Sequence, residues 1–185
     1  MEITHLLSTI LFASEAHKDQ RRKGSGGAPY INHLIEVAML LSKQADVNDL
    51  YILQAGILHD ILEDTKVSEA ELIKQFGQTV TSYVKALTDD KTLSLEVRRQ
   101  KQIDTIENAG REIQLIKLAD HCSNIASIPD SWSLNQLEEY LTWSKKIATK
   151  CFDCSKGLKH EYLSRFRLVG LAQQSKLDQD LGLGY

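Results

Sequence analysis

The sequence predicts an all-α fold, and two patterns in it support that prediction. Apolar residues recur at three- and four-residue spacing in nearly every segment, which is the period of a helix that buries one face. Alternating β-branched residues bounded by turn residues, which are typical of strands, are scarce. We therefore expect a bundle of helices joined by short loops.

The helical period gives each element in turn. It predicts helices over residues 3–18, 33–43, 48–63, 68–75, 78–87, 95–108, 112–125, 134–151 and 155–174. Four side chains near helix starts can accept from free N–H groups of a first turn: Asn32, Asn48, Ser68 and Ser133. The clearest loop is KGSGGAP, residues 23–29, because its three glycines and one proline suit no regular element. One domain over residues 1–176 and a flexible tail over 177–185 complete the prediction.

Composition limits the class of protein. A chain of 185 residues with 42% hydrophobic and 25% charged residues is typical of one globular domain. The net charge of −3 disfavours a long nucleic acid as partner, and no apolar run is long enough for a membrane span. Three cysteines, an odd number, disfavour a disulfide framework and indicate a reducing, cytoplasmic compartment. The number of subunits stays open.

The segment GILHDILEDT, residues 56–65, places four ionisable groups at the end of an apolar helix. Steps of 100° per residue put His59, Asp60, Glu63 and Asp64 on one face, with His59 over Glu63 and Asp60 over Asp64. The preceding turns of that face are apolar, so we expect the groups to be buried. Gly56 is expected to leave open space above them.

Three buried carboxylates need a compensating charge, since each unpaired buried ion costs several kcal/mol. A divalent cation supplies that charge, and a lysine or arginine from elsewhere is the alternative. Because one helix cannot surround an ion, further ligands are expected from other segments, with His33 and Asp120 as candidates. Two imidazoles and two carboxylates without thiolate suit Mn²⁺ or Fe²⁺ better than structural zinc, and an ion open to water indicates hydrolysis.

The same residues resemble a known family. The order of Asn32-His33, His59-Asp60 and a later Asp120 resembles the HD-domain phosphohydrolases. Four segments are more closely similar, in order, to the hydrolase domain of RelA/SpoT homologues: HKDQRRKGSGGAPYINHLIEVA, AGILHDILEDT, FGQTVTSYVKALTDDKTL and IKLADHCSNI. The resemblance extends over residues 6 to 150 or so. No synthetase domain follows, so the chain resembles the small alarmone hydrolases of the metazoan SpoT type.

That resemblance implies an HD-domain helical bundle with a metal site in a central cleft. It also implies Mn²⁺-dependent removal of the 3′-pyrophosphate from the small nucleotide (p)ppGpp, giving GDP or GTP and pyrophosphate. By position in the family pattern, the metal ligands would be His33, His59, Asp60 and Asp120. Glu63 and Asp64 would position and deprotonate the attacking water.

The family pattern also implies contacts to the nucleotide. Arg22 would lie against the purine, Lys23 near phosphate or ribose, and Asn124 against the nucleotide. Arg98 and Arg99 are candidates for the 5′-phosphates.

Departures from the pattern keep other functions open. Leu34 stands where the family commonly has proline, the KGSGGAP loop is longer and lacks an acidic residue, and HCSN at 121–124 and Ala126 differ from the usual residues. One alternative is hydrolysis of another nucleotide, such as (p)ppApp or the 2′-phosphate of NADPH. The other is a non-catalytic nucleotide-binding HD module.

The remaining signals are interpreted as structural. The Cys151/Cys154 pair lacks the second pair that a zinc site requires, so we expect it to pack in a helix. Core packing is likewise expected of Trp132, Tyr140 and Trp143, in preference to a stacking site. The basic run KDQRRK is interpreted as a local phosphate clamp. No role is assigned to His5, His17, His121 and His160.

Overall fold

The computed structural model describes the backbone of residues 2–180 and the side chains of residues 2–24 and 26–172. Its helices are α1 Glu2–Ala16, α2 Ile31–Ala45, α3 Leu50–Leu58, α4 Ile61–Asp64, α5 Glu69–Leu87, α6 Leu95–Ile106, α7 Arg111–Ile125, α8 Leu134–Cys151 and α9 Lys156–Asp180. Between residues 2 and 180 no strand forms, and one isolated β-bridge, Arg21 to Pro29, closes the loop between α1 and α2. The predicted all-α class is confirmed.

Two of the four predicted caps are correct. Ser68 accepts from the Glu71 N–H, and Ser133 forms a capping box with Gln136 at the start of α8. Asn32 is wrong as a cap because α2 already begins at Ile31. Asn48 is also wrong as a cap, because α3 begins at Leu50 and the residue before it is Asp49.

The cap of α3 is the next residue along the chain. Asp49 accepts from the N–H groups of Tyr51 and Ile52, because its extended backbone aims the carboxylate at the first turn.

Breaks in the helices explain the other differences. Gly77, with φ 81° and ψ 172°, separates two helical halves of α5, which the sequence predicts as separate helices. The single helix predicted over residues 48–63 is wrong, since a turn at His59 and Asp60 separates α3 from α4. Of the tail predicted from residue 177, α9 includes residues 177–180, and residues 181–185 lie outside the described part.

Helix α7 lies at the centre of the core. It packs against α2, α3, α5, α8 and α9. Its buried residues include both apolar and polar side chains: Ile113, Leu115, Ile116, Leu118, Ala119, Asp120, His121, Cys122, Ser123 and Ile125. A polar side chain on such a helix is surrounded by neighbours, so its hydrogen-bond partners must come from the protein or a bound group. In residues 2–180, no helix has the combination of length and apolarity that crossing a membrane requires.

The contact between α2 and α9 depends on a glycine. A Cβ on Gly157 would lie 1.9 Å from the carbonyl oxygen of Gln44, so a side chain there pushes two backbones apart. We expect Gly157→Ala to lower the free energy of unfolding by about 1–3 kcal/mol, as overpacking does. Urea unfolding measures this. Gly170→Ala is the matched control in the same helix, because nothing lies within 4 Å of its added Cβ. Helix propensity there favours alanine by about 1 kcal/mol, and equal losses in both variants would contradict the close contact.

Candidate active site

Four side chains from three parts of the fold converge in the core. His33 comes from α2, His59 and Asp60 from the turn between α3 and α4, and Asp120 from α7. Each of His33, His59 and Asp60 offers one atom that could bind a metal ion, and these three atoms lie within 4.8 Å of one another. Oδ1 of Asp120 lies 3.3 Å from Nε2 of His33 and 3.5 Å from Nε2 of His59. The residues that the sequence nominated as ligands therefore form one cluster, which we call the His/Asp cluster.

The turn between α3 and α4 sets the direction of two of these side chains. Asp60 has φ −96° and ψ −1°, in the sparsely populated region beside the helix, and the Gly56 carbonyl accepts from Nδ1 of His59. As a result Oδ2 of Asp60 lies 3.0 Å from Nε2 of His59. The Asp64 N–H still donates to the Asp60 carbonyl at 2.8 Å, so these two residues remain one helical turn apart across the break. The stacking of His59 over Glu63 and Asp60 over Asp64 stays a prediction.

Gly56 plays a different part from the one expected. It is buried, and a Cβ at its position would lie 2.6 Å from Cδ1 of Leu41 on α2. The open space predicted above the cluster is therefore filled by α2. The glycine instead allows α3, which ends just before His59, to approach α2, which carries His33.

The free ring nitrogens of the two histidines face the carboxylates. Nε2 of His33 and Nε2 of His59 are buried and have no aligned hydrogen-bond partner. Nδ1 of His59 donates to a carbonyl, which can only accept, so the neutral ring has its lone pair on Nε2. Buried lone pairs next to two carboxylates fit a divalent cation, because a cation satisfies all of them at once. The donor set has the composition of a metal site.

The charges in the cluster are strongly coupled. Burial alone would raise the pKa of Asp60, but the His59 and His33 imidazoles outweigh it and hold that pKa well below its usual range. Burial opposes the shift at Asp120 as well, yet the same imidazoles hold its pKa well below the usual value. Burial lowers and the two carboxylates raise the pKa of His59, with a net rise. A proton and a cation therefore compete for this nitrogen.

Tyr30 belongs to the site although the sequence gave little sign of it. Its hydroxyl donates to Oδ2 of Asp60 at 2.6 Å, and burial together with the Asp60 charge raises its pKa. Its ring stacks on His17, whose Nδ1 contacts Gln20, and Gln20 donates to the carbonyl of Asp64 at 2.7 Å. The only sequence signal for Tyr30 was its position three residues before His33.

Glu63 and Asp64 lie beyond the break, in different surroundings. Glu63 accepts from the backbone N–H of Asp89 at 3.1 Å. Burial, and the nearby carboxylates of Asp60, Asp89 and Asp64, raise the pKa of Glu63 in spite of that hydrogen bond. Asp64 forms an ion pair with Lys91, a residue to which the sequence assigned no role.

A cavity of about 470 Å³ opens beside the cluster. Arg22, Lys23 and Asn124 line it, as do Tyr30 and Asp64. It is thus bordered both by predicted nucleotide contacts and by Tyr30 and Asn124, whose side chains donate to Asp60 and Asp120 of the His/Asp cluster.

The guanidinium of Arg22 is held firmly at this cavity. It donates to Oδ1 of Asn124 at 2.9 Å, to Oγ of Ser127 at 3.3 Å and to the carbonyl of Ser123 at 3.3 Å. Asn124 in turn donates to Asp120 at 2.6 Å. These contacts connect the cavity wall to the cluster.

Glycine allows the KGSGGAP loop to lie close to α7. A Cβ on Gly24 would come within 2.1 Å of the Ser127 carbonyl oxygen. Residues 25–27 form a short 3₁₀ turn. Lys23 and Gly24, at the start of the loop, line the cavity, which the prediction of a plain loop did not anticipate.

Three aromatic residues of the α8 region line the cavity. Tyr140 and Trp143 pack against the core as expected. Together with Trp132 they are half-buried and also border the cavity, which was not expected. Their rings also contact one another edge to face or at a tilt. Helical spacing could not reveal this, because the cavity that they face is closed by the distant loop at Arg22.

The adjacent residues Arg98 and Arg99 of α6 lie near different groups. Nη1 of Arg98 lies 3.9 Å from Glu63 and 3.7 Å from Asp89. The Arg99 guanidinium lies over the Trp143 ring, 5.1 Å from its centroid. Only Arg99 thus touches a ring that lines the cavity.

The sequence of this chain is similar to the sequences of known proteins. Residues 10–141 match the HD domain family. The guanosine-3′,5′-bis(diphosphate) 3′-pyrophosphohydrolase MESH1 of Danio rerio is 38% identical over 146 residues, which cover 77% of this chain and 81% of the relative. The protein of the same name from Homo sapiens is 34% identical over 174 residues, 92% of this chain and 97% of the relative.

A solved structure extends the likeness to three dimensions. It is described as a metazoan orthologue of SpoT that hydrolyses ppGpp, and it superposes with a TM-score of 0.84 at 33% identity. The match covers 90% of this chain and 96% of that structure. The chain therefore belongs to the HD domain family and, within it, to the MESH1 relatives of SpoT.

Proposed function

We propose that this protein is a metal-dependent 3′-pyrophosphohydrolase of guanosine tetra- and pentaphosphate, (p)ppGpp, which gives GDP or GTP and pyrophosphate. The observation that carries the proposal is a buried His/Asp cluster beside a cavity of about 470 Å³ lined by Arg22, Lys23 and Asn124. Relatives that cover most of the chain are named for this activity. The substrate is a small nucleotide, and the negative net charge speaks against a long nucleic acid.

The proposed cofactor is Mn²⁺, held by His33, His59, Asp60 and Asp120. Imidazole nitrogens and carboxylate oxygens without thiolate suit this ion. When bound, it supplies the Lewis acidity that polarises a phosphoryl group and acidifies water. Tyr30 keeps the Asp60 carboxylate in place through its hydrogen bond of 2.6 Å.

The protein's own acid–base chemistry is assigned to the residues beyond the break. Glu63 takes the proton of the attacking water, because its raised pKa makes it a better base than an ordinary carboxylate. Water adds to the phosphorus next to the 3′-oxygen and the bond between those two atoms breaks. The proton taken by Glu63 returns to the leaving 3′-oxygen, so that the 3′-hydroxyl and pyrophosphate result. Asp64, paired with Lys91, orients the water and the phosphate at the cavity edge.

The nucleotide is held by the cavity wall. The planar guanidinium of Arg22 offers a face to the purine, as Asn124 and Ser127 fix its plane. Lys23 is exposed at the rim, where it meets phosphate or ribose. Arg98 and Arg99 remain candidates for the 5′-phosphates.

The proposed compartment is the cytoplasm. Cys122, Cys151 and Cys154 are all free and buried, as suits a reducing environment.

A nucleotide panel tests the function. Purified protein with Mn²⁺ is incubated with ppGpp, pppGpp, ppApp and NADPH, and the products are separated into pyrophosphate and phosphate. We expect ppGpp to yield GDP and pyrophosphate, with no turnover in EDTA. Release of phosphate from NADPH with ppGpp left intact would favour the other nucleotide. No turnover of any nucleotide would favour a binding module.

A further inference from the structure

A chain of hydrogen bonds lies behind His33, on the side away from the cluster. Nδ1 of His33 contacts Oγ of Ser123 at 2.8 Å, and the Ser123 hydroxyl donates to Oε2 of Glu36 at 2.6 Å. Oε1 of Glu36 accepts from Arg165 at 2.7 Å. These residues come from α2, α7 and α9, and Ser123 is fully buried. The proposed reaction uses none of Ser123, Glu36 and Arg165.

The direction of these bonds follows from the last of them. Glu36 is ionised beside Arg165: burial would raise its pKa, but the Ser123 hydroxyl and the arginine lower it. An ionised carboxylate only accepts, so the single hydroxyl hydrogen of Ser123 points to Glu36. The Ser123 oxygen can then only accept from His33, which places the proton of the neutral ring on Nδ1.

We infer that Ser123 and Glu36 are positioning residues, which fix the tautomer and the ring plane of His33 so that its Nε2 lone pair faces a divalent cation. This inference rests on the proposed metal site. A ligating histidine needs such a partner, because a proton on Nε2 would block the bond to the ion.

The tautomer and ring plane of His33 depend on a side-chain hydrogen bond, whereas those of His59 depend on a backbone carbonyl. The Nδ1 of His59 is held by the Gly56 carbonyl, a backbone group that no substitution removes. Arg165 stabilises the far end of the His33 chain, since it also donates to Glu161 at 2.6 Å and to the Cys122 carbonyl at 3.0 Å. Ser123 lies in HCSN, a segment in which this sequence departs from the family pattern.

The test compares metal-free proteins before any substrate is added. Two-dimensional ¹H–¹⁵N NMR of the imidazoles reports the tautomer, with the His33 signals assigned by their loss in His33→Gln. In the wild type we expect the Nδ1–H form. In Ser123→Ala we expect a mixture with the Nε2–H form, and titration calorimetry with Mn²⁺ should give a Kd raised about 10- to 100-fold. Glu36→Gln should likewise populate the Nε2–H tautomer of His33 and raise the Mn²⁺ Kd, since it removes the ionised acceptor of the Ser123 hydroxyl.

Ser144→Ala is the matched control. Ser144 is also fully buried and contacts Nδ1 of His121 at the same 2.8 Å, but His121 is not in the proposed ligand set. It should leave the His33 signals and the Mn²⁺ Kd unchanged, whereas a merely structural role of Ser123 predicts similar behaviour of the two serine variants.

Each outcome has a defined meaning. An unchanged His33 tautomer with a Kd within about twofold of the wild type, in Ser123→Ala or, where that variant does not fold, in Glu36→Gln, overturns the inference. A wild type that binds no Mn²⁺ overturns it as well. A wild type that binds Mn²⁺ without hydrolysing ppGpp contradicts the proposed function alone, because tautomer and Kd are measured without nucleotide.

Discussion

Asp60→Asn is expected to lower turnover of ppGpp by about 10³-fold or more. Asp60 is within 3.0 Å of His59 and 3.7 Å of His33, and it is the carboxylate to which Tyr30 donates. Asparagine keeps the shape and can still accept from Tyr30, but it removes the charge. Since an ion contributes several kcal/mol to transition-state stabilisation, and about 1.4 kcal/mol is a factor of ten, the loss is large. Initial rates at saturating Mn²⁺ measure it.

The free energy of unfolding, measured with and without Mn²⁺, distinguishes loss of the ion from loss of the fold. At Mn²⁺ near 100 times its Kd, the wild type should gain about 2.7 kcal/mol in free energy of unfolding, and Asp60→Asn should gain much less. Asp104→Asn is the control, because Asp104 is an exposed carboxylate on α6 that accepts a hydrogen bond from Gln100 and lies outside the proposed site. Asp60→Asn with wild-type turnover and the full gain would show that the ion binds elsewhere.

The sequence could predict the cluster because its signals are local. His59, Asp60 and Asp120 each end an apolar run, and a polar side chain after buried residues has to find a partner inside the protein. The period of apolar residues likewise located the helices, including α8 at its observed bounds. These inferences need only neighbours along the chain.

The parts that the sequence missed depend on distant contacts. The break at Asp60 and the packing of Gly56 against Leu41 arise where α3 crosses α2, which no periodicity contains. Lys91 meets Asp64 across 27 positions of the chain, and Trp143 faces a loop more than 100 residues earlier. Helical spacing assigned the tryptophan to a buried face but could not show that the face borders a cavity.

Glu63→Gln is expected to lower kcat by about 10²- to 10⁴-fold, the range for loss of a general base. The proposed ligands all remain, so the Mn²⁺ Kd should stay at the wild-type value, in contrast to Asp60→Asn. The amide has nearly the same shape, and its oxygen can still accept from the Asp89 N–H. A loss of kcat with an unchanged Kd therefore reports proton transfer and not assembly of the site.

The pH dependence of the activity provides a second test of Glu63 as the base. Burial and three neighbouring carboxylates raise the pKa of Glu63, and the group acts as a base only when it is deprotonated. Activity of the wild type should thus fall as the pH drops through that raised pKa, at a higher pH than for an ordinary glutamate. Glutamine does not titrate, so the residual activity of Glu63→Gln should lack this acid limb.

The control for the glutamate is Glu15→Gln, which removes an exposed carboxylate paired with Lys18 on the surface and should leave both kcat and its pH profile unchanged. If Glu63→Gln at saturating Mn²⁺ retained the acid limb at reduced kcat, the base would be a group other than Glu63. Asp64 is already paired with Lys91, whereas Lys91 and Arg98 each lie 3.9 Å from Glu63, beyond hydrogen-bond distance. That difference leaves Glu63 free to take a proton, and it is the physical reason for choosing Glu63 over its neighbour.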